Sequence, residues 1–326
     1  MSDNFNRRKF LKKSALMSMG IGAGLSFEEQ ALLAWNQERR KVVEKAQEGP
    51  VGDMPMGNIG KIKISRLICG GNLINGYAHS RDLMYVSDLL RHYFTDEKVV
   101  ETLRISEENG INTCIMNTGL ASRDENSIRT LHKYWKEGGK IQWIAQCDSY
   151  ENDLTTIVKR AIDNGAVGAF IQGGCGDSFI QNGQVDLIGK VVAFIKENGL
   201  IAGVGGHLID VPMAVEKAGI DVDFYHKTLH SHDYWSANPS LPPRDNIWDA
   251  TPEKTIEFMK KVNKPWIAYK ILAAGAIHPR IAFKYSFENG ADFINVGMYD
   301  FQLKEDIMTA NRTLSDISQR ERPWQG

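Results

Sequence analysis

The stretch QWIAQCDSYENDLTTIVKRAIDNGAVGAFIQ, Gln142 to Gln172, reads as a strand, a helix and a second strand. Gln142–Cys147 and Gly168–Gln172 are short apolar runs. Asn152–Asn164 between them has helical periodicity, and Asn164-Gly165 is a left-handed stop. The same unit recurs on both sides. Further strands are expected at Ser65–Gly70, Asn112–Met116, Ile201–Gly205, Val222–Thr228, Trp266–Ile271 and Phe293–Gly297. Helices are expected at Asp96–Asn109, Arg123–Gly138, Asp186–Asn198, Pro212–Ala218, Pro252–Val262, Pro279–Asn289 and Leu303–Ser315. Strand signals alternating with helix signals in this number predict a (β/α)8 TIM barrel, one domain over residues 57–326. The rival, a doubly wound open sheet, wants a glycine-rich phosphate turn after its first strand. Cys69-Gly70-Gly71-Asn72 does not supply G-x-G-x-x-G.

Composition agrees with a folded domain. The chain has 326 residues, 42% hydrophobic and 24% charged, with a formal net charge of -1. That balance gives no bias toward nucleic acid. The longest apolar stretch falls short of the ~20 residues of a stable membrane span. Four cysteines in so long a chain do not make a disulfide scaffold. Cys175, in the Gly173-Gly174-Cys175-Gly176-Asp177 segment, is read as lying in a flexible loop.

The N-terminus has the layout of an export signal: Asn6-Arg7-Arg8-Lys9-Phe10-Leu11-Lys12-Lys13, then a modestly apolar run to Phe27. The paired arginines followed by Phe-Leu-Lys resemble the twin-arginine (Tat) consensus. Residues 1–27 are therefore expected to be a Tat-type signal segment, residues 28–56 a linker or surface helix, and the protein periplasmic or exported. The resemblance implies the Tat export machinery as a partner.

Met56-Gly57-Asn58-Ile59-Gly60-Lys61-Ile62-Lys63-Ile64-Ser65-Arg66-Leu67 resembles the opening of an aldo/keto reductase. Ser106 to Asn112, Ala268 to Gly275 and Asp292 to Ile307 resemble later segments of that family. The resemblance implies a (β/α)8 barrel and, in the family, NADPH-dependent carbonyl reduction by an Asp, Tyr, Lys and His set. By position the Asp falls on Ile115, the Lys on Gln146 or Cys147, and the His on Gln172 or Gly173. No tyrosine lies between Asn117 and Lys133. Hydride transfer without a proton donor leaves an alkoxide unsupported. The reductase mechanism is therefore not carried over. An NAD(P) cofactor is not expected either, since Gly297-Met298-Tyr299-Asp300 offers no cationic phosphate ligands.

Function in this fold sits at the C-terminal ends of the strands and in the loops that follow. Two of those loops, Asn72–Phe94 and His230–Ala250, are long enough to be functional. They carry Asn72, Arg81 and Trp235, expected to contact substrate. Alternation along the strands places Asn117, Gln146, Asp148, Gln172 and Asn295 at the mouth as further substrate contacts. In the seventh barrel strand, Trp266, Ala268 and Lys270 are expected to point inward and Ile267, Tyr269 and Ile271 outward. An inward lysine serves as base, Schiff-base nucleophile or carboxylate partner. Lys270, His226 and His230 are the expected catalytic group. His207 and His226, on neighbouring strands, are the expected pair for a divalent metal (Zn, Mn or Fe). His226 and His230 lie ~13 Å apart on an extended chain and share a metal only if it turns between them.

The reading that follows is an exported enzyme of carbohydrate metabolism. It acts on a small polar, sugar-like molecule by acid–base chemistry of lyase, isomerase or hydrolase type, with metal assistance as an option. The alternatives are an NAD(P)-dependent oxidoreductase with a non-standard site and a non-catalytic ligand-binding barrel.

Overall fold

A computed structural model describes residues 53–77, 83–119, 121–234, 236–237 and 247–326. The expected signal segment and nearly all of the linker lie outside these residues. So do Arg81 and Trp235. Met56, placed at the end of the linker, instead opens the first strand.

The chain begins with an antiparallel hairpin, β1 (Met56–Ile59) and β2 (Ile62–Ser65), paired from Met56↔Ser65 to Ile59↔Ile62. Eight parallel strands follow: β3 (Leu67–Gly70), β4 (Thr113–Asn117), β5 (Gln142–Cys147), β6 (Gly168–Ile171), β7 (Ile201–Gly206), β8 (Phe224–Thr228), β9 (Trp266–Tyr269) and β10 (Phe293–Val296). They close into a barrel in sequence order, with β10 pairing β3. The helices are α1 (Met84–Tyr93), α2 (Asp96–Glu108), α3 (Ser122–Lys136), α4 (Thr156–Asp163), α5 (Gly173–Gln181), α6 (Val185–Glu197), α7 (Asp210–Lys217), α8 (Pro252–Met259), α9 (Pro279–Glu288) and α10 (Leu303–Asp316). The expected (β/α)8 architecture is what the chain adopts. None of the helices among the described residues is long and apolar enough to cross a membrane.

Two helices were not foreseen. α1 lies inside the first long loop. α5 occupies the segment read as a flexible loop around Cys175, because its three glycines disfavour a helix by propensity. Packing outweighs that cost. A Cβ on Gly176 would sit 2.1 Å from the Gly205 carbonyl oxygen, so glycine lets the first turn of α5 lie directly on β7. Cys175 is buried there, and burial pushes its thiol up to about 11. It is not the exposed, reactive thiol a loop would have given.

The barrel interior is filled by one apolar side chain from each strand: Ile68, Ile115, Ile144, Phe170, Ile201, Phe224, Ile267 and Phe293. Ile59 and Ile64 of the hairpin join this cluster at the N-terminal end. Ile267 belongs inside, whereas Trp266 and Ala268 pack in the outer layer against the helices. The expected facing of β9 is thus inverted. β9 is apolar on both faces, so its alternation carried no signal of which side met the helices.

An ion cluster fastens the C-terminal tail beneath the barrel. The fully buried Asp292 carboxylate accepts from Arg322 Nη1 at 2.5 Å, the Trp266 amide at 2.9 Å, the Gln325 amide at 2.9 Å and Arg320 Nη2 at 3.3 Å. Arg322 also donates to the carbonyls of Met259, Val262, Lys264 and Gly290. Arg66 donates to the carbonyls of Asp292 and Gly326. Removing one partner leaves buried guanidinium charge uncompensated. Asp292→Ala is therefore expected to lose about 3–5 kcal/mol of stability, read from urea unfolding midpoints. A loss under about 1 kcal/mol, the range of an exposed pair, would contradict the burial argument.

Candidate active site

The C-terminal mouth is organised by contact between α5 and the end of β7. Gln172, after β6, caps α5 with its side-chain oxygen 3.0 Å from the Cys175 amide, while its carbonyl accepts from Gly176. One turn on, Asp177 faces β7. Its Oδ1 accepts from the amides of His207 at 2.9 Å and Leu208 at 3.0 Å. Its Oδ2 lies 2.7 Å from His207 Nδ1. A carboxylate can only accept, so Nδ1 carries the proton and Nε2 is left as the basic nitrogen. Nε2 has no hydrogen-bond partner among the described residues. Burial lowers the His207 pKa, opposed by Asp177 and assisted by the positive charge of Lys270. The imidazole is therefore neutral and ready to accept a proton near pH 7.

His226, on the inward face of β8, lies deeper and has no exposed surface. Its ring stacks on Tyr269 at 3.9 Å between centroids and packs on Phe170 at 4.5 Å. His226 Nε2 is 3.1 Å from Asn295 Nδ2. Burial, then the charges of His207 and Lys270, holds the His226 pKa well below the usual range. Three groups here have no hydrogen-bond partner among the described residues: His226 Nδ1, Asn295 Oδ1 and the Tyr269 hydroxyl. Buried orphans of this kind are rare and costly, and they gather at one place.

Lys270 reaches the same mouth by a route alternation does not describe. It follows the last residue of β9 with φ +57°, and Ala273 and Ala274 are left-handed as well. Such backbone costs of order 1–3 kcal/mol per residue and concentrates at functional sites. The turn brings the Lys270 ammonium to 3.4 Å from the centre of the Trp248 ring. Trp248 also lies 4.7 Å from the His207 ring.

The remaining expected contacts fall as follows. Gln146 donates to Asn117 at 2.5 Å across paired strands β5 and β4. Asp148 is half-buried after β5 and Asn72 half-buried after β3. Gln172 serves as a helix cap. Tyr269, read as outward, and Asp177, read as loop, are the members that sequence reasoning missed. The adjacency of a tyrosine to Lys270 was the one available signal. Among the described residues no group of three His, Cys, Asp or Glu side chains converges as metal ligands. Among those residues His207 and His226 therefore have no third ligand of that kind.

His230 has another place. Its Nε2 accepts from the amides of Trp248 at 2.9 Å and Asp249 at 3.1 Å, and Nδ1 faces the Ser231 carbonyl at 3.1 Å. Both ring nitrogens are thus committed to backbone. His230, expected in the catalytic group, thus holds the loop that carries Trp248. Burial lowers its pKa to about 4. Its neutral form contributes stability that is complete above the unfolded value near 6.5 and is lost as pH falls toward 4. Between about pH 7 and pH 4 this amounts to about 3 kcal/mol. His230→Gln is expected to be less stable at pH 7 and to lose that much less on acidification. Unfolding midpoints at the two pH values test this, and parallel losses in both proteins would refute it.

No protein-family model matches the chain, and no curated protein matches it. Solved structures do resemble it. One is named "Putative aldo-keto reductase from Pseudomona aeruginosa", with a TM-score of 0.54, 16% identity, and coverage of 80% of this chain and 94% of that one. Another is a truncated 3-deoxy-D-arabino-heptulosonate 7-phosphate synthase from Thermotoga maritima, with a TM-score of 0.50, 13% identity, and coverage of 81% and 93%. At these identities the likeness establishes the barrel fold.

Proposed function

We propose that this chain is an enzyme that acts on a small polar, sugar-like substrate by general acid–base catalysis at the C-terminal mouth of its barrel. The observation that carries the reading is the Asp177–His207 pair. A carboxylate tied down by two backbone amides fixes one imidazole nitrogen and leaves the other unengaged beside a lysine. His207 Nε2 takes a proton from a substrate C–H or O–H. The Lys270 ammonium stabilises the negative charge left on substrate oxygen. The imidazolium, steadied by Asp177, then returns the proton to a different atom or to a leaving group. The Asn117–Gln146 amides and the Trp248 edge suit the hydroxyls and apolar faces of a sugar. The twin-arginine-type segment, Arg7-Arg8-Lys9-Phe10-Leu11-Lys12, supports an exported enzyme.

Proton NMR in D2O over a panel of aldoses, ketoses and sugar acids tests the chemistry through both turnover and deuterium uptake. His207→Ala is expected to slow the active substrate about 10²–10⁴-fold, with Asp177→Asn following it. Turnover that survives His207→Ala would remove the proposal's base.

A further inference from the structure

We propose that Thr228, at the end of β8, is a positioning residue for the His207 base. The peptide that joins His207 to Leu208 is held from two sides. A trans peptide points its N–H and its C=O in opposite directions. The Leu208 N–H donates to Asp177 Oδ1 at 3.0 Å, and the His207 carbonyl accepts from Thr228 Oγ1 at 3.1 Å. Asp177 comes from α5 and Thr228 from β8, so the peptide plane is pinned between two elements. Among the described residues the other hydrogen bonds of His207, at its amide and at Nδ1, both end on Asp177. Thr228 supplies the hold that is independent of that carboxylate. It has no exposed surface, so it acts through His207 and not on substrate.

The direction of the Thr228 hydroxyl is set from behind the wall. Lys227 is buried beside it and pairs with Asp249 at 3.3 Å. An ammonium has three donors and no acceptor. Lys227 spends them on Thr228 Oγ1 at 2.9 Å, the Thr228 carbonyl at 3.0 Å and Asp249. The hydroxyl oxygen is thus an acceptor toward Lys227. Its own hydrogen is left for the carbonyls of His207 and, at 3.3 Å, Trp248. Donation runs one way, from ammonium to hydroxyl to carbonyl. Valine at this position has a similar shape but no hydrogen to give. The peptide then pivots on Asp177, and the ring turns with it. The inference rests on the acid–base reading for its effect on turnover, whereas its effect on the ring needs no substrate.

Two measurements on the full chain test it. The first is the slowly exchanging Nδ1 proton of His207, observed by NMR and assigned by its loss in His207→Ala. It is expected in the native chain and in Thr228→Ser, and is expected to vanish by exchange with water in Thr228→Val and Thr228→Ala. The second is turnover of the substrate that the sugar panel identifies. Thr228→Val is expected to lower kcat about 10–100-fold. KM should stay within about twofold, and Thr228→Ser should restore most of the rate. In an Asp177→Asn background the same change should cost no more than about twofold further, because both residues act on one imidazole. A merely structural residue would give additive losses and leave the Nδ1 proton in place. No Nδ1 proton in the native chain, its retention in Thr228→Val, no rescue by Thr228→Ser, additivity with Asp177→Asn, or failure of both Thr228→Val and Thr228→Ala to fold would each overturn the proposal. Turnover that survives His207→Ala, with the Nδ1 proton still lost in Thr228→Val, would fail the acid–base reading instead.

Discussion

The closeness of α5 to β7 is the constraint on which the mouth depends. A helix carrying any side chain at position 176 would be held off the Gly205 carbonyl. Asp177 would then lose its reach to the His207 and Leu208 amides. Loss of that clamp would free the imidazole to rotate and to change tautomer, and Nε2 would no longer have a fixed direction. Three glycines that weaken the helix locally are thus what allow it to deliver a carboxylate. Local propensity and tertiary contact oppose each other here, and the contact prevails.

A second layer of support runs behind the wall. Lys227, on the outer face of β8, is buried and pairs with Asp249 at 3.3 Å. Asp249 also accepts from Thr251 and Thr255, and its amide is held by His230. Thr228 Oγ1 lies within hydrogen-bond distance of the carbonyls of both His207 and Trp248. The loop after β8 and the end of β7 are therefore tied to one another, and Trp248 is presented to Lys270 from a fixed base. Buried polar groups in such numbers hold position only when each is satisfied. The Tyr269 hydroxyl, by contrast, has no hydrogen-bond partner among the described residues.

The architecture was legible because strand and helix signals alternate with clean stops. Gly165 takes the left-handed backbone that Asn164-Gly165 announced, and Gly110, Gly199 and Gly290, each also preceded by asparagine, do the same. The site was legible in part. His226 and Asn295 could be placed by alternation because each lies on a strand whose register is regular. Lys270 was placed at the mouth from a wrong premise. β9 faces the other way, and a left-handed residue just past its end turns the side chain back. Alternation has no term for such a residue. Asp177 was hidden because a Gly-Gly-x-Gly run looks like a loop. His230 was read as a mouth residue because its type suggests chemistry, whereas its amide contacts exist only in three dimensions.

The hairpin and the ring of apolar side chains stopper the barrel at its N-terminal end. On the proposed function, a molecule that meets His207 enters and leaves by the opposite, C-terminal end. Reactant and product then contend for one doorway. Accumulating product blocks arrival of fresh reactant by occupancy alone, without a second site to sense it.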